Sequence, residues 1–316
     1  MDHRPHLAVL TSVPSVVLDR LRERAHVTDL SDRPRETWRA VLGDAIGVLS
    51  GSSGAIDAAF LATAPALRIV AMQSVGYDNV DVAALRARGI ALTNSRGTLI
   101  EAVADLTFAL VVLAVRRLGP AMQWARSGRW MERDAPYGHD LAGATLGLIG
   151  FGAIGTAVAR RAQVSDMRVI YHTRTPRTDD ATTGGAYRTF EQLLGEADCV
   201  VALLPLTPQT RALFDDAAFA RMKPTATFVN AARGAVCDTE ALLRALEQGQ
   251  IAGAVLDVTD PEPLPPDHPL FAREDVVIVP HVGSATIETR TRMAMLAAEN
   301  LIAFIDGAAL PTPVSI

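Results

Sequence analysis

The chain has 316 residues, enough for two domains, and carries 30 Lys and Arg against 35 Asp and Glu, a formal net charge of −5. Nucleic-acid binders are typically basic, so this charge argues against a general nucleic-acid-binding role. Hydrophobic residues form 49% of the chain and charged residues 21%, which is typical of globular proteins and excludes a disordered chain. The two cysteines, Cys199 and Cys237, cannot form a disulfide framework, and we expect both to be buried in a protein of the reducing cytosol.

The sequence contains no targeting or membrane-spanning segment that we recognise. The apolar run near the N-terminus is short and is interrupted by Pro14, which favours a first strand over a signal peptide. The most apolar stretch, Leu106–Val115, is too short to cross ~30 Å of hydrocarbon as a helix. We therefore expect no contact with a membrane.

Short apolar runs alternate with helix-length segments in the first third of the chain, a pattern that predicts α/β architecture with a parallel sheet. The predicted strands are Leu7–Leu10, Gly47–Ser50, Leu67–Met72 and Ile90–Thr93, and the predicted helices are Val16–Arg24, Ile56–Ala64 and Val82–Arg88. A long helix is expected over Thr98–Arg117, with Gly119-Pro120 ending it.

A second series of strands and helices begins near Thr145 and predicts one complete doubly wound domain. Its predicted strands are Thr145–Ile149, Arg168–His172, Cys199–Leu203, Thr227–Asn230, Ala254–Asp257 and Val276–Val279, and its predicted helices are Ile154–Ala162, Glu191–Ala197 and Thr239–Gln248. A last helix is expected over Thr286–Ile305. We therefore predict two Rossmann-like domains: residues 99–285 are inserted into a discontinuous, flavodoxin-like domain made of residues 1–98 and 286–316.

A glycine-rich segment follows the strand Thr145–Ile149 and begins a helix, in the order that the dinucleotide fingerprint requires. The first glycine permits a tight turn, the second lets a pyrophosphate approach the backbone, and the third lets helix and strand pack closely. Free N–H groups at the helix N-terminus attract phosphate. The residues predicted to bind a dinucleotide here are Gly150, Phe151, Gly152, Ala153, Ile154 and Gly155.

The second strand of this series ends in the sequence Tyr171-His172-Thr173-Arg174-Thr175-Pro176-Arg177. It lacks the carboxylate that binds the ribose 2′-hydroxyl in NAD sites, whereas an arginine can hold a 2′-phosphate. We predict a preference for NADP(H), with Arg174 as the main contact and Thr173, Thr175 and Arg177 as helpers. In the alternative interpretation these are solvated loop residues, and NAD(H) or both cofactors are used.

Arg233, Glu262 and His281 each follow a predicted strand of the second series. Ligands of open α/β sheets bind beyond the carboxyl ends of the strands, so the three side chains are predicted to share one crevice. Reduction of a 2-oxo acid needs a hydride, a proton donor and a cation for the carboxylate. Histidine can supply the proton, glutamate favours its protonated form, and arginine matches a carboxylate. Each residue alone could be structural, but together they predict an oxidoreductase.

The chain resembles the D-2-hydroxyacid dehydrogenase family, in particular its glyoxylate/hydroxypyruvate reductase branch, over nearly its whole length. Besides the glycine fingerprint, the motifs that carry the resemblance are Val75-Gly76-Tyr77-Asp78-Asn79-Val80-Asp81, Glu101–Leu110, Leu204-Pro205-Leu206-Thr207, Asn230-Ala-Ala-Arg233-Gly234, Asp257 with Pro261-Glu262-Pro263, and Pro280-His281-Val-Gly-Ser284.

The resemblance implies that the discontinuous domain binds a small 2-oxo acid and that the inserted domain binds the dinucleotide. Arg233 would bind the substrate carboxylate and carbonyl, His281 would be the general acid, and Glu262 would be its partner. Val75 and Gly76 would offer backbone N–H groups to the carboxylate. The further contacts implied are Ser284 with substrate or cofactor, Asp257 with the nicotinamide carboxamide, and Leu204, Pro205, Thr210, Ala231, Arg233, His281 and Gly283 with the cofactor. The product would be a D-2-hydroxy acid.

The resemblance also implies a homodimer, joined through the helix Thr98–Arg117 and the arm that follows it. One departure from the family is Arg96-Gly97, where relatives commonly have proline before the glycine, which puts the hinge conformation in question. The other histidines lack metal-ligand spacing, so no metal is predicted. Trp38, Trp124 and Trp130 are expected to be packing residues.

Two kinds of alternative stay open at this point. The first is a phosphite- or phosphoglycerate-type dehydrogenase of the same family. The second is a dinucleotide-sensing co-repressor or scaffold on the same fold, because such a protein can retain the catalytic residues.

Overall fold

The structure is a computed structural model that describes residues 4–177 and 184–316. Its contacts divide the chain into two compact units. Unit 1 comprises Met1–Leu99 and Ala285–Ile316, and unit 2 comprises Ile100–Ser284. Each unit contains a parallel β-sheet whose strands alternate with helices along the chain, which confirms the predicted α/β architecture.

In the described residues of unit 1, five parallel strands lie in the order β2-β1-β3-β4-β5, the flavodoxin-type order. The strands are β1 (His6–Val9), β2 (His26–Asp29), β3 (Gly47–Ser50), β4 (Ile69–Met72) and β5 (Ala91–Thr93). The helices are α1 (Ser15–Arg22), α2 (Arg39–Leu42), α3 (Ala58–Thr63), α4 (Val82–Ala87) and the C-terminal helix Ile287–Ile305, with a 3-10 turn at Arg35–Thr37. The sequence did not predict β2, an edge strand that is only partly buried and lacks an apolar run.

Neighbouring residues of β1, β3, β4 and β5 contribute to two different hydrophobic clusters. In β1, for example, Ala8 belongs to one cluster, whereas Leu7 and Val9 belong to the other. Because successive side chains of a strand point to opposite faces, the sheet has a core on both sides. The C-terminal helix contributes Ala294 and Leu301 to the cluster of Leu7 and Val9, so the end of the chain completes the core begun by its first strand.

In the described residues of unit 2, seven parallel strands lie in the order β12-β11-β10-β9-β6-β7-β8. The strands are β6 (Thr145–Ile149), β7 (Arg168–His172), β8 (Ala186–Tyr187), β9 (Cys199–Ala202), β10 (Thr227–Asn230), β11 (Gly253–Leu256) and β12 (Val276–Ile278). The helices are α5 (Ile100–Val115), α6 (Leu118–Arg126), α7 (Ala153–Val164), α8 (Phe190–Glu196), α9 (Asp216–Phe219) and α10 (Thr239–Glu247), with 3-10 turns at Arg129–Met131, Gly234–Val236 and Pro269–Ala272. The C-terminal helix of unit 1 is therefore α11.

The chain order reverses in this sheet at β6, which has β7 on one side and β9 on the other. In doubly wound sheets the ligand crevice lies outside the carboxyl ends of the strands at this reversal. The loops that follow β6, β7 and β9 are thus the segments in which a nucleotide site is expected.

The long helix α5 is shorter than predicted, and Gly119-Pro120 does not end it. The helix stops at Val115, and Arg117 adopts a left-handed φ of 50°. Gly119-Pro120 instead lies in the first turn of α6, where a missing backbone N–H costs nothing because first-turn N–H groups have no helical acceptor. The expectation that these two residues terminate the long helix was therefore wrong.

The cysteines are buried as expected, whereas the tryptophans differ from one another in their exposure. Both cysteines are free and buried, and burial raises the pKa of Cys199 to about 12. Trp124 is 6% exposed, as expected of a packing residue, but Trp130 is 72% exposed and does not pack within this chain. Among the described residues, none of the helices combines the length and hydropathy that a transmembrane span requires.

The core of unit 2 contains a cluster of phenylalanine rings, and Phe228 of β10 lies within it. Its ring centroid is 4.6 Å from that of Phe214 and 5.5 Å from that of Phe219, and its side chain is fully buried. Phe228→Ala is expected to lower the free energy of unfolding by about 3–5 kcal/mol, because it removes buried apolar surface and leaves a cavity. Denaturant unfolding measures this change. Phe271→Ala, at a ring 49% exposed, is the matched control, and an equal loss in both variants would contradict the assignment.

Candidate active site

The glycine-rich loop joins β6 to α7 in a sharp turn. Gly150 has a φ of +100°, and a Cβ at this position would lie 2.6 Å from the carbonyl oxygen of Leu203, so the turn requires glycine. A Cβ on Gly155 would lie 2.5 Å from the carbonyl oxygen of Gly150, so this glycine lets the helix pack against the turn. A Cβ on Gly152, in contrast, would meet no atom within 4 Å. The backbone of the loop is therefore open to a ligand at its middle glycine.

This open position is also the N-terminus of α7. Gly152 is the N-cap residue and provides no side-chain hydrogen bond to the first turn, and Gly152 and Ala153 are both exposed. First-turn N–H groups have no acceptor within a helix, and the helix dipole adds positive potential there. Close packing at Gly150 and Gly155, together with open space at Gly152, fits the pyrophosphate of a dinucleotide.

The chain beyond β7 carries the residues predicted to contact the adenosine ribose. Thr173 Oγ1 donates a hydrogen bond to the carbonyl oxygen of Thr175 at 2.8 Å, which closes a short turn. Arg174 lies within this turn and is exposed, as is Thr175. Arg177 is directed elsewhere: its Nη1 donates to the carbonyl oxygen of Phe151 in the glycine-rich loop at 2.9 Å.

The loop after β9 lies beside the glycine turn. The N–H of Leu203 donates to the carbonyl oxygen of Ile149 at 2.7 Å, which places the start of this loop next to the end of β6. Thr210 Oγ1 donates to the carbonyl oxygen of Pro205 at 2.7 Å and accepts the N–H of Thr207, also at 2.7 Å. These bonds keep the loop compact at the carboxyl end of the sheet. The loop contains the predicted contacts Leu204, Pro205 and Thr210.

Arg233 follows β10 in a turn that Asn230 organises. The Asn230 carboxamide accepts the N–H two residues further on at 3.1 Å and donates to the carbonyl oxygen of Arg233 at 3.0 Å. A Cβ on Gly234 would lie 1.8 Å from the carbonyl oxygen of Thr259, so this glycine lets the turn contact the loop that follows β11. Ala231 begins the turn and donates its N–H to the last residue of β9 at 3.3 Å.

Asp257 follows β11 and holds the segment that carries His281. Its buried carboxylate accepts the N–H groups of Val282 at 2.7 Å and Gly283 at 3.1 Å, and its carbonyl oxygen accepts the His281 N–H at 2.8 Å. Burial raises the pKa of Asp257, although the two N–H bonds and the His281 charge oppose this effect. His281 has a φ of 52°, which is uncommon for a residue with a side chain. The bonds to Asp257 therefore stabilise an otherwise disfavoured conformation.

Glu262 and His281 form a hydrogen-bonded pair. His281 Nδ1 lies 2.6 Å from Glu262 Oε1, and the two side chains are 39% and 42% exposed, respectively. Burial raises the pKa of Glu262, but the hydrogen bond and charge of His281, a backbone bond and the charge of Arg233 outweigh it, so the net pKa is below the ordinary value. Glu262 is therefore ionised at neutral pH. Because Glu262 engages Nδ1, Nε2 is the His281 nitrogen that can meet a ligand.

Val75 and Gly76 lie in unit 1, in the loop after β4. Asn94 Nδ2 donates to the carbonyl oxygen of Val75 at 2.9 Å, and Ser74 Oγ donates to that of Gly76 at 2.7 Å. The N–H of Ser95 donates to the carbonyl oxygen of Ser74 at 2.9 Å. A carbonyl and the N–H of the next residue share one planar peptide unit, so Asn94 fixes the direction of the Gly76 N–H.

Within unit 2 the structure brings several predicted site residues together. Asp257 and Glu262 both bond directly to the segment of His281, and Arg233 lies close enough for its charge to act on Glu262. Ser284 follows this segment as the last residue of the unit and is half-buried. These side chains follow β10, β11 and β12, as the strand pattern predicts.

Two asparagines with a structural role in the site were not identified from the sequence. Asn230 fixes the turn at Arg233, and Asn94 fixes the peptide unit after Val75. Each stands at or just after the end of a strand. An asparagine there is a usable signal, because its side chain readily bonds to nearby backbone groups.

Residues 108–283 match the family model described as D-isomer specific 2-hydroxyacid dehydrogenase, NAD binding domain. The match covers more than half of the chain. It includes the glycine-rich loop and the segments of Arg233, Glu262 and His281.

Similar proteins extend this relationship to the whole chain. A glyoxylate reductase of Korarchaeum cryptofilum is 41% identical over 99% of this chain and 96% of its own length. One of Aeropyrum pernix is 44% identical over 89% of this chain and 86% of its own length. The crystal structure of a glyoxylate reductase from Paecilomyes thermophila has a TM-score of 0.90 and 30% identity, and covers 99% of this chain and 98% of its own.

A second solved structure is that of an NADPH-dependent glyoxylate/hydroxypyruvate reductase from Sinorhizobium meliloti in complex with NADP and malonate. It has a TM-score of 0.88 and 35% identity, and covers 99% of this chain and 97% of its own. Together with the family match and the geometry of unit 2, these relatives show that the chain belongs to the D-isomer specific 2-hydroxyacid dehydrogenase family and is an oxidoreductase with a nicotinamide dinucleotide cofactor.

Proposed function

We propose that the chain reduces glyoxylate, hydroxypyruvate or a closely related 2-oxo acid to the corresponding 2-hydroxy acid, of D configuration where the product is chiral. The observation that carries this proposal is the Glu262–His281 pair, with its 2.6 Å bond, at the carboxyl end of the sheet that also bears the glycine-rich loop. Relatives named glyoxylate reductase, which match 99% of this chain, support the substrate class. These relatives do not favour a phosphite- or phosphoglycerate-type dehydrogenase, or a sensing co-repressor or scaffold.

His281 is the general acid of the proposed reaction. Ionised Glu262 accepts a hydrogen bond from Nδ1–H and fixes the orientation of the ring, so that Nε2 faces the ligand. His281 Nε2–H then donates its proton to the carbonyl oxygen of the substrate as negative charge develops on that atom. The bound reduced nicotinamide supplies the hydride that forms the new C–H bond.

Arg233 holds the substrate carboxylate in this proposal, because a guanidinium offers two parallel donors to a carboxylate. The backbone N–H groups of Val75 and Gly76 are the proposed second anchor, supported by the bond from Asn94 that fixes the intervening peptide unit. Ser284 is proposed to contact substrate or cofactor. With the carboxylate held by these donors, the carbonyl carbon next to it is positioned to accept the hydride.

The dinucleotide is proposed to bind along the loops after β6, β7 and β9. Asp257 keeps acceptor capacity for the nicotinamide carboxamide, since each carboxylate oxygen accepts one backbone bond and has a second lone pair. The proposed contacts are the glycine-rich loop Gly150–Gly155, with Leu204, Pro205, Thr210, Ala231, Arg233, His281 and Gly283.

The charge at the end of β7 supports a preference for NADP(H) over NAD(H). Arg174 is exposed in the turn closed by Thr173 and Thr175, and the sequence from Tyr171 to Arg177 contains no carboxylate that would repel a 2′-phosphate. A guanidinium can hold such a phosphate through charge-assisted bonds. Arg174 is therefore the proposed main contact of the 2′-phosphate.

We also propose a homodimer, formed through α5 and the arm that follows it. In the arm, Met122 is 50% exposed, Trp130 72%, Met131 92% and Tyr137 81%. So many large apolar side chains in one exposed segment are typical of a protein–protein interface.

His281→Gln is expected to lower kcat by about 10²- to 10⁴-fold, because the amide cannot donate a proton as an acid can. The assay follows the loss of reduced-nicotinamide absorbance with glyoxylate or hydroxypyruvate. His26→Gln, an exposed histidine of unit 1, is the control and should leave the rate unchanged. Unchanged turnover in His281→Gln would remove this residue from the mechanism.

Arg233→Lys is expected to raise the KM for the 2-oxo acid by about 10- to 100-fold, because lysine keeps the charge but loses the two-pronged bond. The Kd of the dinucleotide should change far less. Steady-state kinetics and calorimetric titration measure the two quantities, with the exposed Arg211→Lys as control. Equal losses of substrate and dinucleotide affinity would instead indicate a structural role.

Arg174→Asp is expected to lower the ratio of kcat/KM with NADPH to that with NADH by about 100-fold or more, because a carboxylate repels the 2′-phosphate and can accept from a ribose hydroxyl. Arg221→Asp makes the same charge change at another exposed arginine of unit 2 and should leave the ratio unaltered. If the ratio stays constant in Arg174→Asp, another part of the chain selects the cofactor.

A further inference from the structure

Phe151, the middle residue of Gly150-Phe151-Gly152, is held from two sides. Its ring is 2% exposed and stacks on the buried ring of Tyr171, with centroids 4.2 Å apart and 12° between the planes. Its carbonyl oxygen accepts the hydrogen bond from Arg177 Nη1 at 2.9 Å. The backbone N–H of Arg177 donates to Tyr171 Oη at 3.0 Å. The first two contacts join the loop after β6 to β7 and the segment that follows it, and the third holds Arg177 against the same tyrosine.

The bond from Arg177 acts on the peptide unit between Phe151 and Gly152. The carbonyl oxygen of one residue and the N–H of the next share a planar, trans unit and point in opposite directions. By holding the carbonyl of Phe151, Arg177 therefore fixes the direction of the Gly152 N–H. A glycine has wide backbone freedom, so a bond from outside the loop has a large effect on its orientation. Gly152 is also the exposed position at which a Cβ would meet no atom within 4 Å.

Arg177 and Arg174 are only three residues apart but occupy different environments. Arg174 is exposed, whereas Arg177 is half-buried and its guanidinium carbon lies 5.8 Å from the centroid of the Phe151 ring. The Arg177 side chain is thus directed to the glycine-rich loop. NADPH differs from NADH by its 2′-phosphate, and the bond from Arg177 to the glycine-rich loop does not involve that group.

We propose that Arg177 is a positioning residue that orients the Gly152 N–H toward the pyrophosphate of either dinucleotide and does not select between them. This proposal rests on the proposed cofactor site and assigns Arg177 a role other than the 2′-phosphate contact expected from the sequence. The two arginines then have separate roles. Arg177 raises the affinity for the pyrophosphate, which both cofactors contain, and Arg174 recognises the 2′-phosphate, which only NADP(H) contains.

The test compares Arg177→Met with Arg174→Met, because methionine keeps much of the apolar stem and removes the donors. Calorimetric titration measures the Kd of ADP-ribose and of 2′-phospho-ADP-ribose. Arg177→Met should weaken both ligands by the same factor, about tenfold, as expected for loss of one oriented hydrogen bond to a phosphate. Arg174→Met should weaken 2′-phospho-ADP-ribose alone. Thermal unfolding confirms that each variant is folded.

A second readout needs no nucleotide. In the free protein, Arg177→Met should speed amide hydrogen exchange in the segment 151–154 several-fold, because the loop loses an external bond, and Arg177→Lys should restore part of the protection. Arg174→Met should leave this exchange unchanged.

The outcomes separate this proposal from the proposed function. If the wild-type protein binds both ligands and Arg177→Met weakens neither, or weakens only 2′-phospho-ADP-ribose, the positioning role is overturned. If the wild-type protein binds neither ligand, the proposed cofactor site fails. In that case unchanged hydrogen exchange in Arg177→Met would overturn the orienting role as well.

Discussion

The carboxylate of Asp257 is the group on which the geometry of the Glu262–His281 pair depends. It accepts two backbone N–H groups from the segment after His281, while its carbonyl oxygen accepts the N–H of His281 itself. These bonds hold His281 at a left-handed φ of 52°. They fix the backbone from which the imidazole reaches Glu262. A buried carboxylate whose pKa is raised by burial thus has a structural role beside this pair.

The other predicted site residues have the same kind of support, in which a polar side chain fixes the backbone next to a proposed ligand-binding residue. Asn230 organises the turn at Arg233, Asn94 holds the peptide unit after Val75, and Thr210 closes the loop after β9. Few of these groups are ionisable. The ionisable side chains of Arg233, Glu262 and His281 stand where the proposed reaction needs them, and neutral hydrogen bonds supply much of the rigidity.

Most of the central strands could be predicted because buried parallel strands are continuous apolar runs. Thr145–Ile149 and Thr227–Asn230 have the predicted limits, and the glycine-rich loop follows the first of them. The edge strands β2 and β8 were not predicted, since they are short and only partly buried. The sequence pattern of these two strands resembles that of a loop.

The candidate site was predictable where it depends on strand order, and not where it depends on long-range backbone contacts. That Glu262 and His281 lie near each other follows from their positions after neighbouring parallel strands. The bond from Arg177 to the carbonyl of Phe151 depends on the paths of two loops, and a sequence shows no sign of it. The exposure of Trp130 is of the same kind, because its surroundings are set by the path of the arm.

The return of α11 to unit 1 has a consequence for how the chain is made. Leu7 and Val9 belong to a core that also contains Ala294 and Leu301, residues that are synthesised after all of unit 2. On the ribosome, unit 2 has all of its residues before unit 1 does, although unit 1 begins first. The usual order, in which the N-terminal domain folds first, cannot apply to this core. The strands of unit 1 therefore keep part of their apolar surface uncovered until α11 has emerged from the ribosomal tunnel.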